Sequence, residues 1–137
     1  MANWLMKSDP ETWSWDDQVK AGTAEWDGVR NYQAAGFMKE MRRGDRAFFY
    51  HSGADKQIMG TVEIVREYYP DPTDKTGRFG MVDVKALEPA KTPVTLAAVK
   101  ADKRLSHLLL VRHTRLSVMP VDAKSWAILC QKAGLEP

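Results

Sequence analysis

The sequence contains a single cysteine, Cys130, among its 137 residues. One cysteine cannot form an internal disulfide, and it cannot supply the paired thiolates of a cysteine-rich metal site. Because Cys130 lies within an apolar helical pattern, we expect a buried and unreactive thiol. This cysteine usage is typical of a reducing compartment, so a cytoplasmic location is predicted.

The sequence also lacks the patterns of the common catalytic and nucleotide-binding sites. Its glycines are isolated, so there is no phosphate-binding glycine loop, and no G-x-S-x-G nucleophile motif occurs. The three histidines, His51, His107 and His113, are not spaced as metal ligands. We therefore expect no metal, no cofactor and no catalytic residue, and the chain is predicted not to be an enzyme.

Neither a strong net charge nor a long apolar run is present. Twenty basic and eighteen acidic residues leave a net charge of +2, which does not demand nucleic acid but allows a short single strand or one flipped nucleotide. No apolar run approaches the about 20 residues of a membrane span, and the N-terminus lacks a signal-peptide apolar region. We expect one domain, residues 1–137, that is monomeric and does not bind a membrane.

Hydrophobic patterning predicts five to six short strands. Proline should end strands because it cannot donate a backbone hydrogen bond, so residues 89–93 are expected to break one strand and Pro120 to close the last. Residues 69–78 should form a polar loop, and residues 105–111 are ambiguous between helix and strand. The strands are predicted at residues 3–7, 46–52, 57–68, 79–87 and 115–118.

Capping signals and helical spacing predict several short helices. Ser14 followed by Asp17 is typical of a capping box, and it starts a helix that should end near Ala21. Further helices are predicted at residues 32–41, 95–101 and 123–132. Strands and helices do not alternate as βαβ units, so a doubly wound parallel sheet is disfavoured. An α+β fold is expected instead, with a curled, mainly antiparallel sheet or partial barrel and peripheral helices.

Four short segments combine polar and aromatic side chains in a way that suits a binding pocket. In residues 26–34, an aromatic, a carboxylate, a flexible glycine, an arginine and a carboxamide precede a helix. Such a segment offers a flat apolar surface beside directional hydrogen-bonding groups. The other three segments fall at strand ends: Lys7-Ser8-Asp9, Tyr50-His51-Ser52 and Arg115-Leu116-Ser117.

Each segment alone also has a structural explanation. The first strand end can be a simple turn, Tyr50 can be a core residue, and His51 is more often a hydrogen-bonded structural residue than a base. Arg115 can be an ordinary surface residue of a strand. Large buried aromatics dominate many cores, so four tryptophans are expected to be structural: Trp4, Trp13, Trp15 and Trp126.

Taken together and in order, these segments resemble the EVE domain family over essentially the whole chain. The resemblance implies a PUA-like fold and a relation to the YTH domains, which enclose a methylated adenine with a Lys-Ser strand end, a tryptophan and a hydrophobic hairpin. It also implies recognition of a modified base, with cytosine derivatives in DNA the usual proposal. The segments that carry it are WLMKSDP at residues 4–10, WDGVRNYQA at 26–34, FYHS at 49–52, YPDP at 69–72, VDV at 82–84 and RLSVMPV at 115–121.

Two features depart from the family pattern. The loop at residues 69–78 is short where larger relatives carry an insertion, which would trim contacts to flanking nucleotides. At Phe79-Gly80 the relatives tend to carry a tryptophan. If that residue lines the pocket, the aromatic wall here is altered.

We therefore expect non-catalytic binding of a modified cytosine or adenine in DNA or RNA. Trp26 would stack on the base, with Tyr50 or a neighbouring aromatic as the second wall. Asn31, Ser8 and Ser52 would hydrogen-bond the base edge, and Lys7, Arg30 and Arg115 would contact phosphates. The alternatives are a nucleotide hydrolase or modifying enzyme that uses His51 or Asp9 as acid or base, and a pocket for a small metabolite, an anion or a protein partner.

Overall fold

The computed structural model describes all residues, 1–137, as one six-stranded sheet surrounded by five helices. The strands are β1 (Asn3–Ser8), β2 (Thr23–Glu25), β3 (Arg46–His51), β4 (Gln57–Pro70), β5 (Gly80–Thr95) and β6 (Val118–Val121). The helices are α1 (Trp15–Ala21), α2 (Tyr32–Glu40), α3 (Leu96–Ala101), α4 (Leu109–Arg112) and α5 (Ala123–Ala133), with a 3₁₀ turn at Lys103–Leu105.

The sheet has the strand order β2-β5-β4-β3-β1-β6, so β2 and β6 form its two edges. Only β1 and β3 run parallel, and all other neighbours are antiparallel. The predicted mixed, mainly antiparallel sheet with peripheral helices is therefore confirmed. Because β1 and β3 run in the same direction, their carboxyl ends meet at one end of the sheet, where Ser8 lies opposite His51.

The helix starts follow the predicted capping residues. The Ser14 hydroxyl accepts a hydrogen bond from the Asp17 amide at 3.1 Å, and the Asp17 carboxylate accepts one from the Ser14 amide at 2.9 Å. These two bonds complete the capping box of α1. Asp122 caps α5 through the Ser125 amide at 3.1 Å, and Gly134 ends that helix in the left-handed conformation at a φ of 70°.

The core lies between the sheet and the helices and is rich in aromatic rings. Phe48 stacks on Trp126 with ring centroids 4.0 Å apart. Phe49 receives the edges of Trp15 and Trp26, each at a centroid distance of 5.4 Å. Cys130 is buried, as predicted, and burial raises the pKa of its thiol to about 11. None of the helices is long and apolar enough to cross a bilayer.

Two predictions about prolines are wrong. Strand β5 continues through Pro89 and Pro93, because the pairing with β4 is irregular there: Gly60 lies opposite Pro89, whereas Ile58 lies opposite Val94. This bulge accommodates residues that cannot donate to the ladder. Strand β6 contains Pro120 and begins only at Val118, rather than at residue 115. It is an edge strand, where proline is tolerated.

Three further details differ from the sequence-based prediction. Within the ambiguous residues 105–111, Leu105 ends the 3₁₀ turn, residues 106–108 form a turn, and α4 begins at Leu109, so no strand forms there. Strand β4 extends to Pro70, so the polar loop begins only at Asp71. The short β2 was not predicted, because three residues of mixed polarity carry no clear periodicity. It pairs with β5 and places Trp26 directly after a sheet edge.

Candidate functional site

A pocket of about 600 Å³ lies where the ends of β1 and β2 approach the start of β6. This volume is within the range of about 300–1,000 Å³ that is typical of small-molecule sites. The Lys7 amide donates a hydrogen bond to the Ser117 carbonyl at 2.8 Å, which joins β1 to the residues before β6. The pocket is lined by Lys7, Ser8, Asp9, Thr12, Trp13, Ala24, Glu25, Trp26, Asp27, Gly28, Val29, Arg30 and Ser117.

Trp26 forms one wall of this pocket and is held firmly in place. Its amide donates to the Val82 carbonyl at 2.8 Å, so the backbone continues the pairing of β2 with β5. Its ring packs edge-on against Phe49, and only 7% of the residue is exposed. Because the Trp26 ring is already packed, its side chain loses little conformational entropy when a ligand stacks against it.

Trp13, which the sequence predicts to be structural, is the second tryptophan on the pocket lining. Its indole N–H donates to the Gln18 side chain at 2.9 Å, and its carbonyl accepts a hydrogen bond from the Ser8 hydroxyl. The chain turns tightly before it, because the amides of Thr12 and Trp13 both donate to the Asp9 carbonyl. The feature of the sequence that indicates this turn is the segment Ser8-Asp9-Pro10, which lies a few residues before Trp13.

Charged side chains of both signs surround the pocket. The lining contains two basic residues, Lys7 and Arg30, and three acidic residues, Asp9, Glu25 and Asp27. Burial lowers the pKa of Lys7, whose Nζ donates to the Thr114 carbonyl at 3.1 Å. Since the carboxylates offset the cations, this lining does not concentrate positive charge as an anion site would. It suits a neutral ligand with polar edges.

Arg30 is tied to a buried carboxylate that the sequence analysis did not single out. The side chain of Asp71 is fully buried, and it accepts hydrogen bonds from the Gly28 amide at 2.8 Å and from Arg30 at 3.2 Å. Thr73 adds bonds from its amide and its hydroxyl. Burial raises the pKa of Asp71, but the bonds from Thr73, Gly28 and Arg30 outweigh burial and lower it below its ordinary value. This carboxylate fixes the loop that follows Trp26.

The structure brings six of the predicted site residues together on the pocket lining. They come from three of the four predicted segments, which supports the expectation that these segments converge. Sequence analysis did not name seven of the lining residues as candidates: Thr12, Trp13, Ala24, Glu25, Asp27, Gly28 and Val29. The six predicted residues on the lining are Lys7, Ser8, Asp9, Trp26, Arg30 and Ser117.

The Tyr50-His51-Ser52 segment lies behind this lining rather than on it. Tyr50 is only 2% exposed, and burial raises the pKa of its phenol to about 12. The His51 Nε2 accepts a hydrogen bond from the Trp15 amide at 2.9 Å, so this nitrogen serves the start of α1. The Ser52 amide donates to the Ser8 carbonyl at 2.9 Å. The second aromatic of the pocket is thus Trp13, and Tyr50 supports the site from the core.

Three other predicted site residues also lie outside the lining. The Asn31 side chain accepts a hydrogen bond from the Ala34 amide at 2.9 Å, so its oxygen caps α2. Leu116 is 3% exposed and belongs to the core, whereas Arg115 is exposed to solvent beside Ser117.

The sequence model of the family described as EVE domain matches residues 2–132. Human thymocyte nuclear protein 1 is 32% identical over 171 residues, which cover 99% of this chain and 76% of the human protein. Its structure in complex with 5-methylcytosine-containing DNA matches with a TM-score of 0.89 at 32% identity, covering 100% of both chains. A Rhodopseudomonas palustris protein solved by NMR matches with a TM-score of 0.93 and 55% identity, over 100% of this chain and 97% of its own.

A more distant structure shows how widely the fold is shared. The MmI1 YTH domain matches with a TM-score of 0.65 at 14% identity, covering 98% of this chain and 96% of its own. Identity this low speaks to the fold alone. The predicted PUA-like α+β fold is confirmed.

Proposed function

Because the chain belongs to the EVE domain family, we propose that it binds a modified nucleobase of a nucleic acid in the pocket lined by Trp13 and Trp26. The observation that carries this proposal is the placement of Trp26, a packed ring at the wall of a 600 Å³ pocket beside the polar Lys7-Ser8-Asp9 strand end. The structure of the human relative that was solved with 5-methylcytosine-containing DNA matches over 100% of this chain and of the chain in that structure, which supports the proposal.

The lining favours a base that carries an exocyclic amino group. The Ser8 hydroxyl gives its hydrogen to the Trp13 carbonyl, so towards a ligand its oxygen acts as an acceptor. The carboxylates of Asp9 and Asp27 can only accept as well. Cytosine, adenine and guanine carry exocyclic amino donors, whereas thymine carries none. Of these bases we propose a modified cytosine or adenine as the ligand, in line with the family resemblance.

Binding by this route has a favourable energetic basis. Extruding a base from a duplex costs a few kcal/mol, and stacking on an aromatic side chain returns about 1–3 kcal/mol per base. Acceptors left unpaired by the wrong base would add discrimination, because a buried polar group without a partner is costly. We propose that Arg115, which is exposed near Ser117, contacts a backbone phosphate and sets the register.

A binding panel tests the proposal. Short oligonucleotides, each with one modified or ordinary base, are titrated by fluorescence anisotropy against the wild-type chain and a Trp26→Ala variant. We expect the wild type to prefer at least one modified cytosine or adenine, and the variant to lose that preference. Equal affinity of the wild type for all oligonucleotides would overturn the proposal, and so would a preference that survives in the variant.

Two controls separate recognition from folding. Trp26 is packed against Phe49, so Trp26→Ala also leaves a core cavity. A Trp26→Phe variant keeps an aromatic ring at the wall and should retain part of the preference, while circular dichroism monitors the fold of both variants. Trp126→Phe alters a core tryptophan that is not part of the lining, and its preference should equal that of the wild type.

A further inference from the structure

An aromatic pair lies on the surface close to the pocket. Tyr32, the first residue of α2, and Phe79, which precedes β5, have ring centroids 4.9 Å apart and planes inclined by 36°. Tyr32 is 67% exposed, so a large part of its ring surface is open to solvent. Neither ring belongs to the lining of the pocket. Phe79 therefore packs with Tyr32 and does not form a wall of the pocket.

Hydrogen bonds hold the backbone that carries both rings. The Phe79 amide donates to the Asp74 carboxylate at 2.8 Å, and Asp74 also accepts from the Thr76 amide at 2.9 Å. Tyr32 directly follows Asn31, whose side chain caps α2. An aromatic side chain on a fixed backbone loses little conformational entropy when a second ring stacks on it.

Arg30 connects this pair to the pocket. It lies on the pocket lining, and its guanidinium carbon is 5.9 Å from the centre of the Phe79 ring. Arg78, the residue before Phe79, is exposed. Because Arg30 is paired with Asp71, Arg78 is the cation beside this aromatic pair that is available for a phosphate. Aromatic faces for bases beside a cation for phosphates are the combination that binds single-stranded nucleic acids.

We propose that Tyr32, supported by Phe79, is a stacking platform for the nucleobase next to the one held in the pocket on the same strand. This inference rests on the proposed function of the pocket and extends it to a second nucleotide. Every base has a π-face, so the platform accepts any neighbouring base and adds affinity without selecting sequence. The modification is read in the pocket, and the platform holds the strand.

The test uses Tyr32→Ala and single-stranded five-nucleotide oligonucleotides with the preferred modified base at the centre. One oligonucleotide carries ordinary flanking bases, a second has abasic residues at the flanking positions, and a third is the flanked oligonucleotide without the modification. The platform predicts that Tyr32→Ala weakens binding of both flanked oligonucleotides by about fivefold to 100-fold. Binding of the abasic oligonucleotide should change by less than about twofold.

Two further variants control for shape and chemistry. Tyr32→Phe keeps the ring and should bind as the wild type does, since stacking needs no hydroxyl. Leu87→Ala removes another exposed apolar side chain, 42% exposed on β5, and should leave all affinities unchanged. Because Tyr32 is mostly in solvent, its truncation is expected to leave the fold intact.

The outcomes distinguish this inference from the proposed function. If Tyr32→Ala binds the flanked oligonucleotides as tightly as the wild type, or loses equal affinity for the abasic one, the platform is refuted while the pocket preference stands. If the modification makes no difference but Tyr32→Ala still weakens flanked binding, the pocket proposal fails and the platform stands. If the wild type binds none of the three, both fail. If Tyr32→Ala changes only the self-association of the protein, measured by light scattering, the Tyr32–Phe79 pair is a contact between copies of the chain and the platform is refuted.

Discussion

The carboxylate of Asp71 lies 2.8 Å from the backbone nitrogen of Gly28, a residue 43 positions earlier in the chain. This hydrogen bond joins the loop after β4 to the loop that follows Trp26. The same carboxylate holds Arg30, so one buried group positions two residues of the pocket lining. The shape of the pocket therefore depends on a residue that does not line it.

Replacing Asp71 should loosen this loop. Asp71→Asn keeps the size of the side chain but removes its charge and replaces one acceptor oxygen with an amino group. Either the Oδ2 donors, Gly28 and Arg30, or the two Oδ1 donors of Thr73 therefore lose their partner. We expect the free energy of unfolding, measured with urea, to fall by about 1–3 kcal/mol. Affinity for the preferred oligonucleotide should fall as well. Asp16→Asn, at an exposed carboxylate of α1, is the control and should change neither quantity appreciably; a wild-type-like Asp71→Asn would contradict this role.

Mutation can show whether Trp13 or Tyr50 forms the second aromatic wall of the pocket. Trp13 lies on the lining and Tyr50 does not, so Trp13→Ala should weaken binding of a modified oligonucleotide by about fivefold or more, as expected when a base loses a stacking partner. Tyr50→Leu, which removes the ring but keeps an apolar side chain in the core, should leave the affinity of the folded protein nearly unchanged, because the Tyr50 ring does not line the pocket. Isothermal titration of both variants checks this, and the reverse order of effects would assign the wall to Tyr50.

Gly60 should tolerate no side chain. A Cβ at this position would lie 2.5 Å from the Trp15 ring and 2.6 Å from the Glu88 carbonyl, so the backbone or the ring would have to move. Gly60→Ala is expected to destabilise the fold by about 1–3 kcal/mol in urea unfolding. Gly36→Ala is the matched control: no atom lies within 4 Å of its Cβ, and the change should stabilise α2 by up to about 1 kcal/mol. Equal effects of the two variants would contradict the close packing.

The cap of α5 should make stability depend on pH in acid. Burial raises the pKa of Asp122, but the hydrogen bonds with His107 and Ser125 outweigh it and lower the pKa to about 2. The ionised carboxylate therefore stabilises the fold above the unfolded-state pKa of about 4, and this contribution is lost as the pH falls towards 2. Asp122→Ala should cost about 1 kcal/mol at pH 7.

The pH dependence itself provides the measurement for this cap. Urea unfolding of the wild type and Asp122→Ala at pH 7, 5 and 3 should give a larger difference in the free energy of unfolding at pH 7 and 5 than at pH 3. A difference that stays the same at all three pH values would show that the ionised carboxylate is not what stabilises the helix.

Sequence patterns predicted the parts of the fold that depend on local chemistry. The capping box at Ser14 and the cap at Asp122 were recognisable because each requires particular side chains at a fixed spacing. The sequence predicts a β5 that is too short, because prolines such as Pro89 and Pro93 normally end a strand. The bulge opposite Gly60 that accommodates them depends on pairing with β4 and cannot be deduced from β5 alone.

The candidate site was predictable to a similar degree. The sequence indicates the segments around Ser8, Trp26 and Ser117, but it does not show which of their residues line the pocket and which only support it. A carboxamide such as Asn31 can read a base edge or cap a helix with the same oxygen, and only the position of the Ala34 amide decides between them. Asp71 was missed because its importance comes from burial against a distant loop.

The two edge strands of the sheet limit how the chain can meet other chains. Strand β2 has only three residues, and β6 contains Pro120, which has no amide hydrogen to offer. Neither β2 nor β6 presents a long row of free backbone groups that could pair with a strand of another molecule. At these two strands a partner should therefore dock through side chains.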